Sequence, residues 1–266
     1  MRALIFAAGL GTRLKPITDT VPKALVPVCS KPLLGHLIEK LKQNGYGDVV
    51  INLHHFPQQI KDYAEQNGNF GIKISFSDES DLLRETGGGI RHAAPLLNDG
   101  EPFLVHNVDI ISNLDIEAFY EAHMSESISA DTPLATLLVS ERETSRYFLF
   151  DTGNNLVGWM NKLSGEVKSP FEELRRNASE GFDHEEFIKK YSLKRLAFAG
   201  VHIISPAVFG LMENMPERFP IVDFYLKMAD KYVIKGYVQP DLEMVDVGKL
   251  DSLEKAEELC RKFLEK

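Results

Sequence analysis

A glycine-containing loop near the start of the chain carries the residue types that bind phosphate. An apolar run, Ala3 to Ala8, breaks into Gly-Leu-Gly-Thr-Arg at 9–13. Glycines let backbone N–H groups approach an anion closely, because no Cβ stands in the way. Arg13 and, ten residues later, Lys23 add fixed cations, the usual partners of a polyphosphate. The pattern predicts a nucleotide-phosphate cradle, and its candidate nucleotide-binding residues are Ala8, Gly9, Gly11 and Thr12.

Two common nucleotide-binding loops do not match this segment. The dinucleotide-binding pattern needs a third small residue where the chain has Leu14, and an acidic residue about twenty positions later, where the chain has Cys29 and Ser30. The phosphate-binding loop of many ATPases needs Gly-Lys followed by Ser or Thr, a triplet that the sequence lacks. A plain tight turn stays open as the alternative for the two glycines alone, and the nearby cations favour the cradle.

Two aspartates follow apolar segments and have the chemistry of metal ligands. Asp109 ends the run His-Asn-Val-Asp at 106–109, and Asp246 lies in Val-Asp-Val-Gly at 245–248. Transfer chemistry at phosphorus uses a divalent metal to bridge phosphate oxygens and offset their charge. Mg²⁺ prefers one or two carboxylates together with substrate oxygens and water. A turn or cap is the alternative for each aspartate alone; beside the cradle, the pair predicts an Mg²⁺ site.

Alternating helix and strand patterns in the first half predict the elements that position these residues. Strand-like runs precede the glycine loop and occupy 48–53, 72–76 and 103–106, with helical patterns between them. This rhythm is typical of a doubly wound, mostly parallel sheet with right-handed crossovers. Ligands on such sheets bind beyond the carboxyl ends of the strands, which is where the glycine loop and Asp109 fall.

The second half has more strand-like runs, at 134–139, 147–150, 156–159, 197–204 and 232–238, before an amphipathic helix that begins at Asp251. Residues 164–194 are charged and lack a continuous apolar stripe. They predict an insertion or lid, and a solvated surface excursion is the alternative.

Composition and charge restrict the class of partner. The chain has 266 residues, of which 44% are hydrophobic and 26% charged, ordinary values for a globular protein. Its formal net charge of -9 argues against broad binding to nucleic acid or to an anionic membrane, so an anionic substrate needs a local cluster of cations. The two cysteines, Cys29 and Cys260, have no metal-ligand spacing and predict reduced thiols.

The apolar start is too short for a signal peptide, and no stretch reaches the ~20 apolar residues of a membrane span. We therefore expect a soluble, cytoplasmic protein.

Together these motifs resemble the sugar-1-phosphate nucleotidyltransferase family. The resemblance rests on the loop at 9–13, on Pro-Lys-x-Leu-x-Pro-Val at 22–28, and on the two aspartate motifs, and it covers 1–110 and 196–262. Glu-Thr-Gly-Gly-Gly-Ile at 85–90 is most similar to N-acetylmuramate-1-phosphate uridylyltransferases and mannose-1-phosphate guanylyltransferase-like members. The resemblance implies a Rossmann-like three-layer α/β sandwich with a mostly parallel mixed sheet, of the nucleotide-diphospho-sugar transferase type.

The resemblance also implies a reaction. A nucleoside triphosphate and a sugar-1-phosphate, the expected partners, would give a nucleotide-diphospho-sugar and pyrophosphate with Mg²⁺ as cofactor. UTP with N-acetylmuramate-1-phosphate or a related hexose-1-phosphate is the expected pair. The alternatives are a mannose- or heptose-1-phosphate guanylyltransferase and a catalytically silent regulatory subunit that binds nucleotide sugar. Nucleic acid and membrane are not expected partners, and a monomer and a homo-oligomer both stay open.

Each candidate residue takes a role from the same resemblance. Arg13 would neutralise the departing pyrophosphate and Lys23 would lie beside the α-phosphate, while the two aspartates hold the metal. The base-contacting turn would comprise Thr86, Gly87 and Gly88. The sugar-binding residues would be Asn107, Asn161, Lys162 and Gly200.

The expected domain organisation follows from this assignment. We expect one domain over 1–266, with a nucleotide-binding half at 1–110, a sugar-binding half at 111–250 that carries the insertion at 164–194, and a C-terminal helix at 251–266. The chain departs from the family pattern at three places: Val108 stands where many relatives have Gly, Lys249 replaces the usual Thr, and the insertion is longer than in compact relatives.

Overall fold

The computed structural model describes residues 1–126, 132–177 and 183–264. The strands in this part of the chain are β1 (Arg2–Phe6), β2 (Pro27–Val28), β3 (Lys31–Pro32), β4 (Asp48–Leu53), β5 (Lys73–Asp78), β6 (Phe103–Asn107), β7 (Ile110–Ser112), β8 (Ala135–Ser140), β9 (Arg146–Phe150), β10 (Leu156–Asn161), β11 (Val167–Lys168), β12 (Lys194–Ile204), β13 (Ile234–Tyr237) and β14 (Met244–Asp246).

The helices of the same described ranges are α1 (Leu33–Gln43), α2 (Pro57–Gln66), α3 (Glu85–His92), α4 (Ala94–Leu97), α5 (Ile116–Glu126), α6 (Glu172–Asn177), α7 (His184–Lys190), α8 (Val208–Leu211), α9 (Ile221–Met228) and α10 (Asp251–Leu264). Short 3₁₀ turns occur at Thr12–Leu14, Ile17–Asp19, Lys23–Leu25 and Gly68–Gly71. None of the described helices is both long and apolar enough to cross a bilayer.

A mixed ten-stranded sheet forms the centre of the molecule. Its main path runs β11-β10-β9-β12-β6-β1-β4-β5, and β8 joins it through β12, with β13 beside β8. The strands β6, β1, β4 and β5 are parallel. The long strand β12 runs antiparallel to β6, β8 and β9. The parallel block is therefore the part of the sheet that the βα rhythm of the first half predicts, and all its carboxyl ends lie at one edge.

Helices cover both faces of the sheet, and this arrangement explains the continuous apolar runs of the central strands. Ala3 and Ile5 of β1 point into the core shared with α1, α2, α5 and α10, whereas Leu4 points into the core shared with α3, α4, α8 and α9. All three side chains are completely buried. A strand in this position needs apolar residues at every position, not only at alternate ones, so the structure is a three-layer α/β sandwich.

Within the predicted insertion at 164–194, the described residues 164–177 and 183–194 are attached to the outer strands by a small core of their own; residues 178–182 lie outside the described part. Leu174 of α6 and Phe187 of α7 are buried and pack with residues of β9, β10 and β12. Asp183 caps α7, because its carboxylate accepts the N–H groups of Glu185 and Glu186. Two buried side chains on two short helices give no continuous stripe, which is why the sequence pattern suggested only a solvated excursion or a lid.

Two buried histidines form polar contacts between the sheet and the helices that cover it. His123 Nδ1 lies 2.8 Å from Thr136 Oγ1, and His202 Nδ1 lies 2.6 Å from the Tyr225 hydroxyl. Burial disfavours the charged imidazolium; it lowers the pKa of His123 to about 4 and that of His202 to about 3. Both side chains are therefore neutral in the folded protein at physiological pH.

We expect the free energy of unfolding to fall as the pH drops from about 6.5 towards about 4. An unfolded histidine has a pKa near 6.5 and takes up a proton in this window, while His123 and His202 stay neutral in the fold, so the unfolded state binds more protons. Each histidine contributes up to about 1.4 kcal/mol per pH unit, and this contribution is complete above about pH 6.5. Urea unfolding across this pH range measures the slope.

His202→Gln removes one titrating group and is expected to reduce the slope, whereas His92→Gln, at an exposed position, leaves it unchanged. Equal slopes for the wild type and His202→Gln would show that the buried imidazole does not couple folding to pH.

Candidate active site

The glycine loop begins where β1 leaves the sheet, at the edge that also holds the carboxyl ends of β4 and β6. Past Phe6, the N–H groups of Ala7 and Ala8 donate to Asn52 Oδ1 at 2.6 and 3.1 Å. Gly11 has a φ of 63°, and a Cβ added there would lie 2.8 Å from Thr18 Cγ2. Thr18 also donates its hydroxyl to the Gly11 carbonyl oxygen at 2.8 Å. Gly11 is thus required by a tight left-handed turn.

A cavity of about 260 Å³ lies at this edge of the sheet. Six of its lining residues are ones that the sequence singled out: Ala8, Gly9, Lys23, Thr86, Asn107 and Asp109. A Cβ added at Gly9 would meet no atom within 4 Å. The surface of this loop is therefore open for an incoming group, and glycine at position 9 leaves that space free.

Lys23 and Asp109 form an ion pair at the wall of the cavity. Lys23 begins the 3₁₀ turn after Pro22, and Asp109 lies between β6 and β7. The Lys23 ammonium contacts Asp109 Oδ2, and the two side chains are only 12% and 15% exposed. Restricted access to water strengthens the interaction of both groups with any further charge in the site.

A two-stranded sheet places the second carboxylate, that of Asp246, in the site. The strands β7 and β14 pair antiparallel with Asp246 opposite Ile110, and Val247 N donates to the Asp109 carbonyl oxygen at 2.8 Å. A Cβ added at Gly248 would lie 2.7 Å from Asp246 Oδ1 and 2.8 Å from Arg13 Nη2. Glycine at this position therefore lets the Arg13 guanidinium and the Asp246 carboxylate lie together.

The electrostatics of Asp246 fit a cation site. Burial raises the pKa of Asp246, and the nearby Asp109 carboxylate raises it further, while Lys23 and Arg13 act in the opposite direction. Two adjacent carboxylates favour a bound cation, which offsets their repulsion. Among the described residues, no group of three or more His, Cys, Asp or Glu side chains is placed to hold a metal. A carboxylate pair without further protein ligands suits Mg²⁺, which completes its shell with substrate oxygens and water.

The glycines of the 86–88 turn are packed against the segment before α9. The N–H groups of Gly87 and Gly88 both donate to the Phe219 carbonyl oxygen, at 2.9 and 3.2 Å. A Cβ at Gly87 would lie within 2.9 Å of that oxygen, and one at Gly88 would lie 2.6 Å from the Glu217 carbonyl oxygen. Of the three predicted base-contacting residues, Thr86 lines the cavity. The base-contacting role of the turn stays a prediction.

Gly200 and Asn107 join the two halves of the sheet at the cavity. The register of β12 against β8 shifts between Phe198 and His202, and Gly200 in this bulge has a φ of 74°. A Cβ added there would lie 2.5 Å from Asn107 Nδ2. The two residues predicted to bind sugar from opposite halves are therefore in contact.

The structure does not bring Asn161 and Lys162 to this cavity. Asn161 ends β10 and Lys162 follows it, and β10 is separated from β6 by β9 and β12. Asn161 Oδ1 accepts the N–H of Leu163 at 3.0 Å, and Lys162 Nζ lies 3.7 Å from a Glu143 carboxylate oxygen. Their assignment to the sugar stays a prediction.

Two residues of the cavity wall were missed by the sequence analysis. Asn52 and Glu79 line the cavity together with Leu83 and Glu85, and both are buried. A signal existed for Asn52, because an amide within the apolar run 49–53 needs a buried partner. Nothing in the local sequence identified Glu79 as that partner.

Comparison with known proteins agrees with this geometry. The profile of the nucleotidyl transferase family matches residues 2–262. The N-acetylmuramate alpha-1-phosphate uridylyltransferase of Neisseria meningitidis is 43% identical over 132 residues, which are 49% of this chain and 57% of that protein. The Arabidopsis thaliana protein named "Probable mannose-1-phosphate guanylyltransferase 2" is 40% identical over 260 residues, 93% of this chain and 62% of that protein.

The chain thus spans about three fifths of the length of these curated relatives. The solved structure of a UDP-glucose pyrophosphorylase complexed with UDP-glucose has a TM-score of 0.72 and 19% identity, and covers 98% of each chain. It confirms the predicted fold of nucleotide-diphospho-sugar transferases. With its family profile matched over 2–262 and its loop, ion pair and aspartates gathered at one edge of this fold, the chain belongs to the nucleotidyl transferase family.

Proposed function

We propose that this protein is a sugar-1-phosphate nucleotidyltransferase that condenses a nucleoside triphosphate with a sugar-1-phosphate to give a nucleotide-diphospho-sugar and pyrophosphate. The observation that supports this most directly is the meeting of two cations and two carboxylates beside the glycine-loop cavity: Arg13, Lys23, Asp109 and Asp246. A module that only binds nucleotide needs no such set. The named activities of the relatives support the same class of reaction.

The reaction is an in-line displacement at phosphorus. An oxygen of the sugar-1-phosphate attacks the α-phosphorus, a new P–O bond forms, and the bond from that phosphorus to the oxygen of the departing pyrophosphate breaks. The attacking oxygen is already anionic, so the site needs no general base. Catalysis then depends on positioning the two phosphates and on stabilising charge.

The two cations divide this charge between them. We assign Lys23, at the cavity wall beside Asp109, to the α-phosphate under attack. We assign Arg13, beside Asp246 and next to the glycine loop, to the pyrophosphate as it leaves. The backbone N–H groups of the loop at Gly9 and Gly11 would bind the triphosphate.

Asp109 and Asp246 would hold Mg²⁺. When bound, the ion neutralises negative charge on the reacting phosphate. The surroundings of Asp246 support this assignment, since burial and then the adjacent Asp109 carboxylate raise its pKa, and a bound cation would offset both effects.

We propose UTP and N-acetylmuramate-1-phosphate, or a related hexose-1-phosphate, as the substrate pair. The similarity to the Neisseria uridylyltransferase, 43% identity over 132 residues, supports this pair. The similarity to the Arabidopsis protein, over 93% of the chain, favours GTP with a mannose- or heptose-1-phosphate as the second candidate. A catalytically silent regulatory subunit is less well supported, because all four charged residues are present.

We infer that residues 1–110 bind the nucleotide and 111–250 the sugar within one domain over 1–266. The contact of Asn107 with the Gly200 bulge supports this division, since it brings the two halves together at the cavity. Asn161 and Lys162 would then contact the sugar from the end of β10. Supply of the nucleoside triphosphate favours a cytoplasmic site for the reaction.

Asp109→Asn and Asp246→Asn are each expected to lower turnover by ~100-fold or more, because each removes a ligand of the ion that offsets phosphate charge. Pyrophosphate release with Mg²⁺, each nucleoside triphosphate and a panel of sugar-1-phosphates measures the effect. Asp230→Asn, an exposed aspartate after α9, is the control. Full activity in both site variants would exclude these metal ligands, and no release by the wild type with any pair would exclude the enzyme.

Arg13→Met and Lys23→Met are each expected to lower kcat by ~10²- to 10³-fold, the usual effect of losing one preorganised donor. Lys15→Met is the matched control, because Lys15 is exposed and pairs with the surface residue Asp19 at 2.9 Å. Steady-state kinetics at saturating nucleotide, together with Tm, separates lost catalysis from lost folding. A kcat for Lys23→Met equal to that of Lys15→Met would contradict its assignment to the α-phosphate.

Gly9→Ala is expected to raise the KM for the nucleoside triphosphate by about tenfold or more while leaving Tm unchanged, since its Cβ would meet no protein atom yet stand at the open cavity surface. Gly47→Ala is the matched control, because a Cβ there also meets no atom within 4 Å and Gly47 does not line this cavity. Equal KM values for the two variants would place the nucleotide elsewhere.

A further inference from the structure

The glycine loop is held at its base by one buried side chain. In the ladder of β1 and β4, Phe6 lies opposite Asn52, and beyond Phe6 the backbone leaves the sheet. Asn52 is 2% exposed, and its Oδ1 accepts the next two N–H groups, those of Ala7 and Ala8. Buried N–H groups that lose their ladder partners need another acceptor. The Asn52 side chain supplies it and so sets the direction in which Gly9 leaves the strand.

Glu79 determines the orientation of the Asn52 side-chain amide. Asn52 Nδ2 donates to Glu79 Oε1 at 2.9 Å, and Glu79 is completely buried at the end of β5. Glu79 Oε1 accepts and the two loop N–H groups donate, so the NH₂ group of Asn52 faces Glu79 and its oxygen faces the loop. The other oxygen, Oε2, accepts the N–H of Arg84 at 3.0 Å, just before α3. One amide–carboxylate pair therefore connects the phosphate loop to the turn that carries Thr86.

The surroundings of Glu79 are built to keep this pair intact. A Cβ at Gly89 would lie 2.9 Å from Glu79 Oε1, so a glycine makes room for the carboxylate. The nearby Arg84 guanidinium donates instead to both oxygens of Asp81, at 2.8 and 2.7 Å. In the described ranges, the ion pairs do not include Glu79. The charged groups that line the same cavity are Lys23, Glu85 and Asp109.

We propose that Asn52 is the positioning residue of the nucleotide-phosphate loop and that Glu79 orients it. The proposal rests on the proposed function, because it assigns the loop to nucleotide phosphate. Asn52 acts through the amides of Ala7 and Ala8, so that the backbone of Gly9 is already aimed at the cavity when the nucleotide arrives. A preorganised loop costs no rearrangement on binding.

Asn52→Asp tests the orientation with almost no change of shape. It keeps an oxygen for the two loop amides but places a second carboxylate against Glu79 where an amide donated. Two carboxylates at hydrogen-bond distance share one proton, so the variant holds the loop at low pH and releases it as the pH rises. We expect its kcat/KM for UTP or GTP, relative to the wild type, to fall at least tenfold between about pH 5.5 and about pH 8, mainly through KM.

The double variant Asn52→Asp/Glu79→Gln exchanges donor and acceptor. The new amide at position 79 donates to the new carboxylate at position 52, and its oxygen accepts the N–H of Arg84. Every hydrogen bond of the pair is restored and the net charge is that of the wild type. We expect the KM of the double variant to return to within about threefold of the wild-type value. We also expect its kcat/KM relative to the wild type to become independent of pH again. Two mutations that acted independently would add their effects and would not give this rescue.

Asn155→Asp is the matched control. Asn155 Nδ2 donates to Asp151 Oδ2 at 2.9 Å, an amide–carboxylate pair of the same kind in the turn between β9 and β10. We expect no change in KM or in pH ratio. The proposal would be overturned if Asn52→Asp had an unchanged KM and a kcat/KM, relative to the wild type, that did not change with pH. It would also be overturned if the double variant showed no recovery.

Nucleotide affinity separates this proposal from the proposed function. If the wild type releases no pyrophosphate with any pair, the enzyme assignment fails, and titration calorimetry with UTP and GTP on the same four proteins still tests Asn52. Weaker binding in Asn52→Asp with recovery in the double variant supports the positioning role. Absence of nucleotide binding to the wild type overturns both proposals.

Discussion

The pairing of β7 with β14 puts two carboxylates side by side, and the remaining residues of the site compensate their charge. Asp109 and Asp246 are far apart in the sequence, and the Asp109 carboxylate adds to burial in raising the pKa of Asp246. Lys23 contacts one carboxylate and Arg13 lies beside the other. In the free protein, the two cationic and two carboxylate side chains have formal charges that sum to zero. Phosphate and a divalent ion would bind to these same four groups, which are already in position before substrate binds.

The glycines around this charge cluster serve two different purposes. At Gly11 and Gly248 a Cβ would collide with neighbouring side chains, so these glycines let the loop pack and let Arg13 and Asp246 both approach position 248. At Gly9 a Cβ would meet open space. Packing explains glycine at the first two positions. At Gly9, which lines the cavity, the missing side chain leaves room for another molecule. The motif therefore combines a structural requirement with one for ligand access.

Sequence analysis could identify residues whose role depends on their neighbours along the chain. It could not identify residues whose role depends on contacts between strands. Apolar runs with a break at the carboxyl end located β1, β4 and β6 and the polar groups that follow them. The role of Asn52 depends on β4 lying between β1 and β5, an order that no local pattern specifies. The strands β7 and β14 have three residues each, too few to show a period, yet they determine how Asp246 meets Asp109.

In the proposed reaction, two parts of the sheet would separate the phosphate chemistry from the choice of sugar. The phosphate end is built on parallel strands buried on both faces, and buried hydrogen bonds such as those of Asn52 fix its loops. The other part is built on β12 and the antiparallel strands beyond it, which carry the Gly200 bulge and the turn after β10. Bulges and hairpin turns change with little cost to the core. The proposed sugar site would therefore lie in the less constrained part of the sheet, which agrees with motifs at the phosphate end that predict a reaction class without naming a sugar.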